Sequence, residues 1–436
     1  MKSAESHKVL SSDHLDNCPR CPHGPMLLFE KTAGCKTSRF FACAAFRSRK
    51  ECQFFVSVST DQDQVVEKEK IEKLADRCKS LVTVSFWEKY QKSRMLKERK
   101  ENIFCHSCTS FICDKSEINC EHKGHKIETQ VKKDIIRRPT KLLKSMKETT
   151  KEAQFFFSEQ TCNFITSTLD RLSVKSVISI GTPSLIERLK INYYLLDFDW
   201  RYGVFYGSNF SWYNMFNHHF METVEDPDGS RSKTRFKSFL KTLPTEETVA
   251  ILLDPPFGGR VEPIAGTLKK LVTEIRETGC VGDVLFFWVF PYFMEAYISH
   301  ALPGTAMLDY RIDYSDHKMF NSDSRRGRKT GSPVRIFTNA PLNLIVHPED
   351  EGYNFCSKCS RFVHKDNVHC NLCGSCPSKA GGTYKHCSTC QRCVKPRWIH
   401  CGSCGKCVAQ PHECSNKKRK LVDTPNFPRK LKKGQD

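Results

Sequence analysis

Asp254-Pro255-Pro256-Phe257 follows the apolar run Val249-Ala250-Ile251-Leu252-Leu253 and precedes Gly258-Gly259. An apolar run that stops this abruptly reads as a buried strand reaching the edge of a sheet. The two prolines fix the backbone and remove two N–H donors, so nearby carbonyls are free to point into a pocket. Asp254 then offers an acceptor for an NH2 group, the Pro255 carbonyl offers another, and Phe257 offers a face for a flat substrate. The set suits an exocyclic base amine. Taken alone it also suits an ordinary strand end closed by a proline turn.

The other chemistry-bearing residues are cysteines and histidines in three groups. Cys18-x-x-Cys21-x-His23 opens the first, Cys43 and Cys52 close it, and Cys35 lies in a Gly/Thr/Ser turn between. The spacing suits a four-ligand zinc site on a small β-rich module. In the second group, Cys105-x-x-Cys108 with His122 and His125 makes a Cys2His2 set, and Cys120 could replace either histidine. The third runs from Cys356 to Cys414 and holds twelve cysteines with interspersed histidines, among them His369. Its candidate ligands are Cys356, Cys359, Cys370, Cys373, Cys376, His386, Cys387, Cys390, Cys393, His400, Cys401, Cys404, Cys407, His412 and Cys414. The segment is too small and polar to fold on a core, so metal must supply much of its stability, with two or three zinc ions using these ligands. No three-ligand site with an obvious open position stands out, so the zinc is expected to be structural.

Composition agrees with this division. At 436 residues the chain should hold several domains, and its 39% hydrophobic content supports a core in only part of it. The longest apolar stretch, 281–302, is interrupted by Asp283, Pro291 and Glu295, so no membrane span or secretory signal is expected. Clustered cysteines in a reducing compartment bind zinc more readily than they form disulfides. A net charge of +20 calls for a polyanionic partner, most simply nucleic acid.

Positioning Asp254 requires a sheet. Val177 to Ile180 ends in Gly181-Thr182-Pro183, and Tyr193 to Leu196 ends in Asp197-Phe198-Asp199. Val284 to Phe290 ends in Pro291, while 307–314 and 334–346 read as a closing antiparallel pair. With helices between, and an amphipathic segment from Gln154 to near Leu172, the pattern predicts an α/β domain whose largely parallel sheet is covered on both faces. Ligands bind such sheets at the carboxyl ends of the strands, where Gly181, Asp197, Asp199 and Asp254 would lie. The expected organisation is a zinc module at 1–60, a charged helical linker at 61–100 and a second zinc module at 101–130. A basic linker at 131–152, the α/β domain at 153–350, a cysteine-rich multi-zinc domain at 351–415 and a basic disordered tail at 416–436 complete it.

Gln154-Phe155-Phe156-Phe157-Ser158-Glu159 together with the Asp-Pro-Pro-Phe loop resembles the class I methyltransferases, Rossmann-like enzymes whose members methylate adenine N6 or lysine amines. The resemblance implies S-adenosylmethionine as cofactor, with Gln154, Phe155, Phe156 and Phe157 packed over it, although Phe155 reads equally well as core. Gly181, followed by Thr182 and Pro183, would let the backbone approach the adenosyl group, and Asp197 or Asp199 would accept from both ribose hydroxyls. Asn214, in the unusual stretch 213–220, is a further cofactor candidate. Asp254, Pro255, Pro256 and Phe257 would hold the amine, and catalysis would be mainly positioning.

The stretch 38–43 and Cys52-Gln53-Phe54-Phe55 resemble the Gly-Arg-Phe zinc finger, a single-strand nucleic-acid module, with Ser38 in place of its glycine. In that pattern the ligands are Cys21, His23, Cys43 and Cys52, with Cys18 as the alternative first ligand. Arg39, Arg47, Arg49 and Lys50 beside Phe40, Phe41 and Phe46 mix cations with stacking surfaces. Residues 390–414 are similar to the cysteine-rich domain of Asp-His-His-Cys palmitoyltransferases. Pro411-His412-Glu413-Cys414 lacks the acidic-His pair, however, which leaves only zinc scaffolding in common. The whole combination resembles the zinc-finger CCHC-domain ribosomal RNA N6-adenosine methyltransferases, even though Cys404-x2-Cys407-x4-His412-x-Cys414 departs from the CCHC knuckle at its last gap. That resemblance implies an adenosine of 28S ribosomal RNA as substrate. Its partners would be ribosomal RNA and ribosome-assembly or RNA-processing proteins, with no membrane. The clusters 417–420 and 429–433 suit nuclear or nucleolar import, with the cytoplasm a second location, and the basic loop 324–330 could grip phosphates. A protein lysine methyltransferase and a non-catalytic RNA-binding scaffold are the alternatives.

Overall fold

A computed structural model of the chain describes residues 6–11, 18–33, 36–58, 85, 87–95, 102–114, 116–145, 154–317, 332–379, 382–412 and 414. Cys35, most of 61–100, the basic loop 324–330 and the tail 416–436 lie outside the described residues. The chain divides into two compact units, Met1–Lys365 and Asp366–Asp436.

In the first unit, β1 (Ser6–Ser11), β2 (Leu27–Ala33), β3 (Lys36–Ala42) and β4 (Phe55–Val58) form an antiparallel sheet in that order. A helix, α1 (Trp87–Met95), follows. The second module is a three-stranded sheet of β5 (Asn102–Cys105), β6 (Ser110–Ile112) and β7 (Ile127–Val131), with β5 in the centre. Residues 131–145 of the stretch expected to be a basic linker are instead folded. They form two short helices, α2 (Lys133–Ile136) and α3 (Pro139–Leu142), and Ile136, Leu142 and Leu143 are buried against Ile186, Leu195 and Tyr202. These three apolar side chains among many charged ones suffice to seat it, because the charged chains point outward.

The central domain is built on an eight-stranded sheet. Its strands are β8 (Val174–Ile180), β9 (Asn192–Asp197), β10 (Phe210–Asn214), β11 (His219–Phe220), β12 (Thr248–Leu253), β13 (Val284–Pro291), β14 (Ala306–Met307) and β15 (Val334–Thr338), in the order β11-β10-β9-β8-β12-β13-β15-β14. The five strands from β10 to β13 are parallel, four of them as the apolar runs require, with β10 added at the edge of that set. Alternate residues of β12 serve two cores: Val249, Ile251 and Leu253 face one, Ala250 and Leu252 the other. Chain order reverses at β8, which has β9 on one side and β12 on the other, and such a switch point opens a crevice at the strand ends.

The first helix of this domain, α4 (Glu159–Arg171), is capped by Ser158, which accepts from Thr161 N, and buries Cys162, Phe164, Ile165 and Leu169 on one face. Gln154 to Phe157 precede it as an extended segment bridged to Tyr314, rather than as the helix start expected from the sequence. The closing pair is also shorter than expected: β14 holds two residues and β15 ends at Thr338. Leu308 N and Ile312 N nevertheless continue the pairing to Ile336 and Val334 carbonyls across an irregular register. Two further helices, α5 (Pro183–Ile186) after β8 and α6 (Val261–Glu277) after the Asp-Pro-Pro-Phe loop, complete the elements that bear on the site.

The expected boundary at residue 351 lies fifteen residues early. The hairpin β16 (Tyr353–Cys356) and β17 (Arg361–His364) belongs to the first unit, where Tyr353 is buried and its hydroxyl accepts from Arg311 N at 3.0 Å. The second unit is a series of small hairpins, including 385–394 and 398–409. Among its described residues only Cys376, Val394 and Cys407 are buried hydrophobic side chains. No described helix is long and apolar enough to cross a membrane.

Candidate active site and metal centres

Register brings the expected site together. Ile180 pairs with Leu196 on one side and Leu253 on the other. The three strands therefore end level, and Gly181, Asp197 and Asp254 follow one another along the edge. Gly181 N donates to Leu196 O at 3.0 Å and Asp254 N donates to Ile180 O at 3.2 Å. Gly181 has φ +68°, and a Cβ on it would lie 3.3 Å from the Asp254 carbonyl oxygen. Only glycine keeps that crevice open without strain.

Asp254 is half-buried as a residue, with its carboxyl withdrawn from solvent. Burial pushes its proton affinity well above the usual carboxylate range, and the Tyr314 hydroxyl, donating to Oδ1 at 3.1 Å, works against that shift. Phe257 meets the Tyr314 ring edge to face at 6.0 Å. Pro255 is buried and Pro256 partly exposed, and the turn is closed by Gly259 N donating to Pro256 O. Tyr314 was not foreseen. The sequence shows it only as the end of an apolar run, sixty residues from the carboxylate it serves.

The two acids after β9 part company. Asp199 caps a short 3-10 turn and is held by Arg201 at 2.8 and 2.6 Å, so its carboxylate is already engaged. Asp197 accepts from Asp199 N at 2.8 Å through Oδ1, while its buried Oδ2 has no partner among the described residues. Burial, and then the nearby Asp199 charge, push Asp197 up to about 8. An orphaned carboxylate oxygen beside a glycine crevice fits a nucleoside diol. Of the two alternatives, Asp197 is the available one.

Gln154 to Phe157 run across this edge. Gln154 Nε2 donates to the Tyr202 hydroxyl at 3.4 Å, and Phe157 and Phe155 face the Tyr314 ring at 5.4 and 6.1 Å. Phe156 N donates to Asp316 Oδ1 at 2.9 Å. Thr182 is buried, its hydroxyl 2.6 Å from that of Ser179, and Pro183 begins α5. Both polar atoms of the Asn214 side chain are engaged within the protein. Its amide donates to the His23 carbonyl at 2.8 Å and its oxygen accepts from Phe216 N, so it joins the N-terminal module to the sheet. That role depends on a contact between residues 191 apart, which no local pattern announces.

Cys21, His23, Cys43 and Cys52 bring their ligand atoms within 4.8 Å of one another, as do Cys105, Cys108, His122 and His125. Thiolate and imidazole donors in fours at this separation fit tetrahedral zinc. Cys18 and Cys120, left open as alternatives, stand outside these two sets. The N-terminal set is seated on the central domain by Asn214, by Asn217 and by an Arg20–Glu222 ion pair. Gly24, at φ +95°, permits this approach, since a Cβ there would lie 2.3 Å from the His219 ring.

In the first unit Cys356 and Cys359 turn together on the β16–β17 hairpin, with Cys359 N donating to Cys356 O at 3.1 Å. In the second unit Cys370, Cys373, His386 and Cys393 form one set, and Cys387, Cys390, His400 and Cys407 another. Cys401 and Cys414 sulfurs lie 3.9 Å apart, and Cys404 Sγ lies 3.5 Å from His412 Nε2. Cys376 Sγ is 3.8 Å from His369 Nδ1, a ligand-type residue to which the spacing had assigned no role. His369 sits one residue before Cys370, just as His386 and His400 precede Cys387 and Cys401. That repeat was the signal.

Fold and edge define a methyltransferase of the kind that acts on an amino nitrogen, and residues 148–325 match the family described as probable N6-adenine methyltransferase. The chain is 39% identical to the human rRNA N(6)-adenosine-methyltransferase ZCCHC4 over 86% of its own length and 74% of that protein. It is 40% identical to the bovine protein of that name (83% and 72% covered) and 37% identical to that of Xenopus laevis (83% and 74%). The chain belongs to this rRNA N6-adenosine methyltransferase family.

Proposed function

We propose that the protein methylates N6 of an adenosine in large-subunit 28S ribosomal RNA, using S-adenosylmethionine, with the zinc modules binding the RNA. The observation that carries this is the convergence of Asp254, Tyr314 and Phe257 at the end of β12, with Gly181 between them and the unpartnered Asp197 oxygen. S-adenosylmethionine supplies the methyl group on an electrophilic sulfonium. Asp197 would hold its ribose hydroxyls, and Gly181 the backbone beside it.

Asp254 and the Pro255 carbonyl accept the two amine hydrogens, which fixes the amine while its lone pair stays unengaged. Phe257 covers one face of the base. Tyr314 fixes the Asp254 carboxyl and favours its ionised form. Most of the rate enhancement then comes from orientation in a water-poor crevice. An adenine amine is a weak acid, so its proton leaves after transfer, and the raised proton affinity of Asp254 suits it to receive that proton. The Cys/His sets hold structural zinc, which matters most in the second unit, where few apolar side chains are buried among the described residues. Ribosome-assembly or RNA-processing proteins are proposed as further partners. The basic clusters of the tail support a nuclear and nucleolar location, with some protein in the cytoplasm.

The test offers labelled S-adenosylmethionine with ribosomal RNA and ribosomal proteins together, and identifies the products by mass spectrometry. Label in N6-methyladenosine, absent with Asp254→Ala, supports the reading. Label in lysine replaces it with the protein methyltransferase alternative, and failure to bind cofactor replaces it with a non-catalytic scaffold.

A further inference from the structure

Behind the Asp-Pro-Pro-Phe loop lies a cavity of about 490 Å³ that the chemistry above does not use. Its size is in the range of pockets that take a small ligand. One wall belongs to the N-terminal module, where the rings of Phe29, Phe40 and Phe55 stack in succession at 5.6 and 5.0 Å. The Arg49 guanidinium covers the Phe55 ring at 3.8 Å. The other wall is Pro256, Gly258, Gly259 and Arg260, and Arg47 reaches towards it, 3.0 Å from where a Cβ on Gly258 would stand. Asp254, Phe257 and Tyr314 are not in the lining. The cavity therefore shares the loop with the amine site without being part of it.

The charged lining is one-sided. Among the described residues Lys31, Arg47, Arg49 and Arg260 contribute, and no carboxylate does. Aromatic faces with interleaved cations are the surface on which unpaired bases stack while phosphates are neutralised. An acidic peptide would use the cations but not the ring faces, and a lysine-bearing basic peptide would be repelled.

We propose that this cavity holds the unpaired nucleotide next to the target adenosine, its base on the Phe55–Arg49 platform and its phosphate on Arg47 and Arg260. The inference rests on the RNA reading given above. It adds that the target must lie in an unpaired segment, because a duplex cannot place two successive nucleotides on opposite sides of one loop. Recognition is through ring faces rather than base edges, so the neighbouring base is tolerated in several identities.

The experiment uses the full chain and a fluorescein-labelled uridine decamer, which contains no adenosine, so binding is read independently of methylation. Arg47 and Arg49 are exposed, and zinc content and cofactor affinity serve as folding controls for their replacement. Arg47→Ala/Arg49→Ala, and separately Phe55→Ala, should weaken decamer binding about tenfold or more, and the double variant should flatten its salt dependence. An RNA with 4-thiouridine beside the target should crosslink within residues 47–55. Affinities within twofold of the unaltered protein, or a crosslink elsewhere, overturn the proposal. If the decamer result holds while no adenosine is methylated, the RNA-methylation reading fails and the single-strand site stands. If adenosine is methylated and the variants match the unaltered protein in RNA affinity and KM, the site fails and the reading stands.

Discussion

The Asn214 side-chain amide donates to the His23 carbonyl at 2.8 Å, and Asn217 donates to the same carbonyl at 3.1 Å and to Pro25 O at 2.8 Å. His23 belongs to the first Cys/His set, so two amides of the central domain grip the backbone of a metal-ligand candidate. The N-terminal module is thereby fixed against the catalytic sheet. Asn217→Ala should leave the Pro25 carbonyl without its donor and the His23 carbonyl with Asn214 alone, and cost about 1–3 kcal/mol. Denaturant unfolding measures that cost, and zinc release to a chromogenic chelator should quicken.

Tyr314→Phe removes the hydroxyl that favours the ionised form of Asp254. The Asp254 proton affinity, already raised by burial, should rise further. Activity that requires the carboxylate then needs a higher pH, so the acid limb of the pH–rate profile should move upward. A hydrogen bond to a charged group contributes about 1.5–3 kcal/mol, so kcat/KM at neutral pH should fall roughly tenfold or more and partly recover in alkaline buffer. An unmoved acid limb would remove Tyr314 from this role.

Asp197 couples stability to pH in the sense opposite to a salt-bridged acid. Its folded pKa, about 8, lies above the ordinary value, so the folded state binds more protons in between. Stability is therefore fully present below the ordinary carboxylate range and declines as pH rises towards 8. Asp197→Asn should remove that decline, leaving a flatter melting temperature between pH 5 and 8 on this account, while cofactor affinity falls about tenfold to a hundredfold. Melting curves across pH and calorimetric titration with S-adenosylhomocysteine read the two effects separately.

Gly181→Ala should destabilise the protein by about 1–2 kcal/mol, because a left-handed backbone is costly for a residue with a Cβ. The added carbon also presses on the Asp254 carbonyl, so cofactor binding should weaken more than stability alone would explain. Calorimetry on the folded fraction checks this.

Chelation should affect the two units unequally. Among its described residues the second unit has almost no buried apolar side chain, so metal removal should unfold it and expose residues 366–412 to limited proteolysis. The sheet of the central domain should persist in the same sample, followed by circular dichroism. Resistance of 366–412 in the chelated state would mean that something other than metal folds it.

Local chemistry was enough for a good deal of this protein. Apolar runs of four to seven residues marked four of the five parallel strands, because a strand covered on both faces has no polar side to alternate, while β10 (Phe210–Asn214) carries no such run. Cys-x-x-Cys spacings announced the donor sets, since two thiols three residues apart reach one ion from a single turn. Asp254 and Gly181 could be placed at the sheet edge because each directly follows its strand. Folding alone decided the rest. Register made Gly181 the neighbour of both acids, Arg201 took Asp199 and left Asp197, and Tyr314 returned across the sheet to Asp254. Asn214 bound the His23 carbonyl, and Gln154 to Phe157 became an extended strap rather than a helix. Each of these depends on partners tens to hundreds of residues away, and a hydrogen bond between such partners leaves no periodicity in the chain.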